Sequence, residues 1–213
     1  MKFNQLRKLL RTSPRQGSSG HLLYYLNRRP QVDNSGLHYL VAGGWAVELL
    51  TQHQRNHRDL DLLYFTMPDY PEEKGVDWYV LDGGYGYLNI DMPGEILKQA
   101  HTTSVFWQHG KIEVYLPTPE FFLISKLTCL LGYTRPRDNL DIKALLSTQN
   151  LDLEKLMQVL QYADSSNHEE LVRNIIILSQ HAKIATLEES HIIELCRIAR
   201  RAESPEKLAN AAE

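Results

Sequence analysis

An apolar run that stops at two glycines limits the folds open to this chain more than any other feature. Residues 38–44 read HYLVAGG, which predicts a buried strand closing at a tight turn. The period then changes. Trp45, Ala46, Val47, Leu49 and Leu50 are too densely apolar for a solvated helix, so the next segment is expected to pack on a sheet. Its first amides would face the turn. With no side chain on Gly43 or Gly44 to block approach, they make a place where phosphate can sit.

Arg58 to Phe65 alternates at its start and then runs apolar, as a strand does when one end emerges into a cleft. Period two puts Asp59 and Asp61 on one face. Their Cα atoms would lie roughly 6 to 7 Å apart, within reach of one or two metal ions. All-oxygen ligands beside a triphosphate suit magnesium. Without a cation the two carboxylates would repel each other and lose hydration. Asp-x-Asp by itself is common and ordinarily means solvent-facing aspartates on an edge strand; the upstream glycine turn is what shifts the reading. A third carboxylate on a neighbouring strand would ligate metal or take the proton of an attacking hydroxyl. Glu113 is favoured, in the alternating run Lys111 to Leu116 that reads as the second arm of a hairpin after His109-Gly110. Asp91, in Ile90-Asp91-Met92, is the rival.

The string GGWAVELLTQHQRNHRDLDL resembles the nucleotidyltransferase superfamily, whose pattern is a glycine pair or Gly-Ser, a short helix and Asp-x-Asp on a strand. Within it, the aminoglycoside and lincosamide nucleotidyltransferases share the Gly-Gly-Trp start and an Arg-x-His-x-Asp-x-Asp ending. Here those residues are Gly43, Gly44, Trp45, Arg55, His57, Asp59 and Asp61. The resemblance implies a nucleotide site at Gly43, Gly44 and Trp45, with Asp59, Asp61 and Glu113 as catalytic metal ligands. Gly44 stands where many members carry serine, so that hydroxyl's phosphate contact is missing. Glu113 also departs from the aspartate more usual in its role.

Thr118 as N-cap, Pro119 at the first position and Glu120 behind it predict a helix running to Leu131 and stopping at Gly132. Lys126 lies among Leu123, Ile124, Leu127 and Leu130, where a long cation either snorkels to water or reaches a phosphate. A basic connection follows, then a helix whose start at Asp138 is an ordinary N-cap for aspartate, with Asp141 completing a capping-like turn. This passage resembles the AbiEii-type abortive-infection toxins, in which a Lys-Leu helix precedes an Arg-x-x-Asp helix start. Lys126, Arg137, Asp138 and Asp141 match. The resemblance implies that Lys126 binds triphosphate and that the other three close the nucleotide pocket.

The 213 residues, 43% of them apolar, are enough for one domain with a helical extension or for two small ones. The expected fold is α/β (α+β): a mixed sheet flanked by helices over residues 1–147, then a helical region over 148–213. Ser166-x-x-Glu169 and Thr186-x-x-Glu189 read as capping boxes there, and Ser204-Pro205-Glu206 opens a last short helix. Gly83-Gly84-Tyr85-Gly86-Tyr87 lacks a P-loop lysine and reads as a hairpin turn, its tyrosines available to line an acceptor site. Cys129 and Cys196 have no metal or redox partner in sequence and read as reduced core residues of a cytoplasmic protein. No stretch is long enough to cross a membrane.

The N-terminal run is basic and free of acid until Asp33. Lys2, Arg7, Lys8, Arg11, Arg15, Arg28 and Arg29 are seven of the 23 basic residues, leaving 16 against 26 acidic ones. A body of about −10 formal charge makes a poor general nucleic-acid surface, though RNA could bind locally. The expected activity is magnesium-dependent transfer of a nucleotide from an NTP to a hydroxyl, with one or two Mg2+ ions. The acceptor is a small molecule such as an antibiotic, or RNA. The alternatives are an AbiEii-like toxin modifying tRNA or protein, with an antitoxin partner, and an inactive nucleotide-binding or interaction protein.

Overall fold

Tyr39–Val41 and Leu60–Tyr64 bury nearly every side chain they carry, and the sheet is built on them. The computed structural model describes residues 17–69, 73–81, 90–99, 101–102, 105–107, 110–132, 136–148, 151–163, 168–181 and 197. The basic run before Gly17, the Gly83–Tyr87 turn, Arg135, the capping serine and threonine at Ser166 and Thr186, Cys196 and the Ser204 helix lie outside them. Contacts divide the chain into two units.

The first unit comprises the described residues of Met1–Tyr85 and Gly94–Pro117. Helix α1 (Ser19–Arg28) opens on Ser18, whose hydroxyl accepts from the His21 N–H. It buries Leu22 and Tyr25. A short hairpin, β1 (Val32–Asp33) with β2 (Gly36–Leu37), leads into β3 (Tyr39–Val41). Helix α2 (Gly43–Thr51) follows without a linker, then β4 (Leu60–Tyr64) and β5 (Val76–Val80). The sheet order is β3-β4-β5. β3 runs antiparallel to β4, with Val41 opposite Leu62, and β4 runs parallel to β5, with Asp61 opposite Asp77. The mixed sheet is therefore present, and α2 packs Trp45, Ala46, Val47 and Leu49 into the core, as its apolar density predicts.

A side chain extends this sheet. Gln31, buried, donates through Nε2 to the Tyr39 carbonyl (3.0 Å) and the Tyr115 carbonyl (2.9 Å), and accepts from the Tyr115 N–H (2.9 Å). Val41 N–H also donates to Tyr115 O at 3.0 Å. Every polar group of that amide meets backbone, as a buried amide requires. On α1, the Tyr25 hydroxyl hydrogen-bonds the Tyr64 hydroxyl at 2.9 Å, and burial pushes the Tyr25 phenol up to about 12. The unit closes with helix α3 (Gly94–Gln99) and strands β6 (His101–Thr102), β7 (Val105–Trp107), β8 (Gly110–Ile112) and β9 (Leu116–Pro117). β7 and β8 pair antiparallel as a hairpin, but its second arm ends at Ile112, short of the expected Leu116, and Leu116–Pro117 pair with β6 instead.

The second unit comprises the described residues of Gly86–Pro93 and Thr118–Glu213. Among the described residues its helices include α4 (Pro119–Gly132), α5 (Pro136–Thr148), α6 (Leu153–Leu160) and α7 (His168–His181). α4 spans the predicted residues. Asp152 caps α6 by accepting from the Glu154 and Lys155 amides, and its own N–H donates to the buried Glu120 carboxylate of α4 at 2.8 Å. Leu153, Leu156, Val159 and Leu160 give α6 one buried face. The sequence grouped residues 118–147 with the sheet; in the structure α4 and α5 belong with the later helices. Their apolar faces explain this, since Phe121, Phe122, Leu123, Ile124, Ile142 and Leu145 are all buried in that unit. Among the described residues no helix is long and apolar enough to cross a membrane.

Candidate active site

Ala42, just past the end of β3, donates its N–H to the Asp61 carbonyl at 2.8 Å, and the chain turns directly into α2. Ala42 is the N-cap and offers no side-chain hydrogen bond to the first helical amides. Gly43 takes φ +58°, a conformation that disfavours any side chain. A Cβ on Gly43 would also overlap the Asp61 carboxylate. Glycine is thus required twice over, once by the turn and once by the acid lying against it.

Asp59, Asp61 and Asp77 each offer a carboxylate oxygen, and these oxygens all lie within 4.8 Å of one another. Asp59 and Asp61 are half-buried and Asp77 is exposed. Parallel register brings Asp77 in, because residues directly opposite each other on β4 and β5 share a face. Partial burial, the negative charge of Asp59 and a hydrogen bond to it hold the Asp77 carboxyl above the usual carboxylate range. Three clustered acids in all-oxygen surroundings suit a hard divalent cation, whose charge would relieve that repulsion. A groove of about 650 Å³, lined by residues 73–79, opens beside Asp77.

The segment between α2 and β4 folds back over the helix. Gln52 ends α2 at φ 60°, its N–H bonded to the Glu48 carbonyl. Glu48, buried, then accepts from the Arg55 N–H at 3.2 Å and hydrogen-bonds His57 Nε2 at 2.7 Å. The His57 ring stacks on Trp45 with centroids 3.7 Å apart. A Cβ on Gly44 would meet Arg55 Cζ and His57 Nδ1, each at 3.0 Å. Trp45 is only 2% exposed, so it supports the turn from behind and shows no ring face to a nucleotide.

Of the residues expected at the metal, the structure brings together Asp59 and Asp61 beside Gly43. Glu113 is exposed just past β8 and outside the cluster; Asp91 is also exposed, in the second unit, its N–H bonded to Tyr162 O. Asp77 is the carboxylate that clusters with them, where the sequence pointed to Glu113. The missed signal was the polar position within Val76–Val80, visible only once β5 is set parallel to β4.

Lys126, Asp138 and Asp141 form a cluster within the second unit. Lys126 Nζ lies 2.7 Å from Asp138 Oδ1 and 3.0 Å from Asp141 Oδ2, with all three side chains at most 8% exposed. Asp138 is not the N-cap of α5. That helix begins at Pro136, a residue suited to a first helical position, and Asp138 in its first turn faces Lys126. Arg137 is exposed.

A glycine turn, a short helix and clustered aspartates on a mixed sheet are the parts of a nucleotidyltransferase. The family described as nucleotidyl transferase AbiEii toxin, type IV TA system, matches residues 79–210, more than half of the chain, and the chain belongs to it. Residues 29–71 match the aminoglycoside-2''-adenylyltransferase family. Both are families of nucleotidyltransferases, and transfer of a nucleotidyl group is the chemistry they share. No curated protein and no solved structure matches the chain. Asp77 falls between the two matched segments.

Proposed function

We propose that this chain moves a nucleoside monophosphate from a nucleoside triphosphate to an acceptor hydroxyl and releases pyrophosphate. The convergence of Asp59, Asp61 and Asp77 beside the Gly43 turn carries this reading. Asp59 and Asp61 would hold one or two magnesium ions, with one oxygen of Asp77 completing the set. When bound, magnesium would neutralise triphosphate charge and polarise the α-phosphate. The unblocked amides after Gly43 would bind phosphate oxygens. The second oxygen of Asp77 would take the proton of the acceptor hydroxyl as its oxygen attacks the α-phosphorus. One P–O bond forms as the bond to the departing pyrophosphate breaks. For Lys126, Arg137, Asp138 and Asp141 the nucleotide-binding role remains the one the family resemblance implies, with the Lys126 ammonium exchanging a carboxylate for phosphate.

Membership of the AbiEii family supports a toxin that has a cognate antitoxin, and we take its acceptor to be RNA or protein. The match over residues 29–71 supports a second reading, a small hydroxylated acceptor such as an aminoglycoside. One experiment separates them. Each α-labelled ribonucleotide is supplied with magnesium and either host RNA and protein or an aminoglycoside and lincosamide panel. Label is expected in one acceptor class, with pyrophosphate released in step. Asp59→Ala/Asp61→Ala should lower labelling by at least about 100-fold, the scale of losing one group aimed at developing charge. No label, together with no magnesium-dependent nucleotide binding by calorimetry, would leave an inactive interaction protein.

A further inference from the structure

The two glycines of the turn carry opposite charges against them. The Asp61 carboxylate lies on Gly43, and the Arg55 guanidinium lies on Gly44, where a Cβ would stand 3.0 Å from Cζ and 3.1 Å from Nη2. A carboxylate and a guanidinium therefore bear on neighbouring residues of the same turn. We propose that Arg55 is a phosphate-binding residue for the pyrophosphate portion of the NTP, filling the place left by a serine side chain at position 44. This rests on the nucleotidyl-transfer reading and adds a ligand to the same site.

Gly44 is what admits the guanidinium. Any side chain there would press on both Arg55 and His57, so serine at 44 requires the guanidinium to give way by a few tenths of an ångström. The surrounding residues fix the backbone of the arginine. Glu48 holds the Arg55 N–H at 3.2 Å and the His57 ring at 2.7 Å, and Trp45 closes the other side of that ring. The His57 and Glu48 side chains are 3% and 5% exposed, so this support is anchored in the core while Arg55 is half-buried at its edge. A guanidinium presents a planar fork of donors that matches two phosphate oxygens at once. A nucleoside triphosphate brings more negative charge than the metal alone offsets, and a cation fixed beside the helix amides would bind the part that leaves.

The test uses the full chain with magnesium and measures binding of ATP, inorganic pyrophosphate and AMP by calorimetry. Arg55→Met is expected to weaken ATP and pyrophosphate by about 10- to 100-fold and to leave AMP within about twofold, the scale of a charge-assisted hydrogen bond. Arg55→Lys should fall between. Gly44→Ser alone should weaken ATP, because it displaces Arg55, yet in the Arg55→Ala background it should regain affinity by supplying a hydroxyl. A residue that only packs would not reverse the sign of Gly44→Ser. Unchanged pyrophosphate affinity in Arg55→Met overturns the inference, as does an equal loss for AMP. Absence of ATP binding by the wild-type chain overturns the nucleotidyl-transfer reading along with it.

Discussion

Asp77 shows how one residue can be costly in the free protein and needed in the working one. Its carboxyl is raised by partial burial and by Asp59, so the folded chain keeps a proton that the unfolded chain has released. The sign follows from linkage. Stability from the neutral acid is present below the ordinary carboxylate range and is lost as pH rises through the raised value. In chelator, the wild-type melting temperature should fall over that window, and Asp77→Asn should flatten the fall and melt slightly higher at pH 7. With magnesium and NTP the order should reverse, the variant losing turnover by about 100-fold or more. Melting curves at pH 4.5 and 7, with and without metal, check the first half, and labelling rates check the second. A variant that melts lower at pH 7 in chelator would mean that Asp77 is held by something other than acid repulsion.

Among the elements, helix α4 and the strand pair β4-β5 divide what the sequence revealed from what it hid. Thr118, Pro119 and Gly132 punctuate α4 locally, so its bounds were legible. The Gly43 turn, Asp61 of β4 and Asp59 just before it were legible for the same reason: each sits in a pattern a few residues long. Asp77 was not, because its place comes from parallel register, which no local pattern encodes. Glu113 was expected within a strand running to Leu116, but β8 ends at Ile112, and Glu113 lies outside the aspartate cluster. Lys126 tests α4 directly. Its ammonium is held by two buried carboxylates on α5, so Lys126→Met would leave Asp138 and Asp141 without that charge in a dry setting. A loss of about 3–5 kcal/mol is expected from chemical denaturation. If instead stability barely moves while NTP affinity falls, the ammonium belongs to the nucleotide.

At the scale of the whole molecule, the chain passes between units more than once. Residues 90–93 belong to the second unit, where Ile90 bridges Ala163, and Gly94 begins the return to the first. Segment 94–117 then supplies Tyr115, to which Gln31 and Val41 are bonded. Neither unit is a single stretch of sequence, which is why a boundary drawn near residue 147 from the helical pattern and the division in space differ. It also makes ligand linkage the natural probe of how far the site extends. A ligand that binds only the folded form raises stability by about 2.7 kcal/mol at 100 times its Kd, or roughly 5–10 °C for a chain of this size. Magnesium with a non-hydrolysable NTP analogue should produce that rise, and chelator or Asp59→Ala/Asp61→Ala should remove it. Calorimetric scans then distinguish two arrangements. If a single transition moves among two, the nucleotide is held by the aspartates and the glycine turn alone. If the whole profile moves, and Lys126→Met cuts the shift beyond its own destabilisation, the Lys126 cluster takes part in holding the nucleotide. No shift at saturating analogue would count against nucleotide binding by either unit.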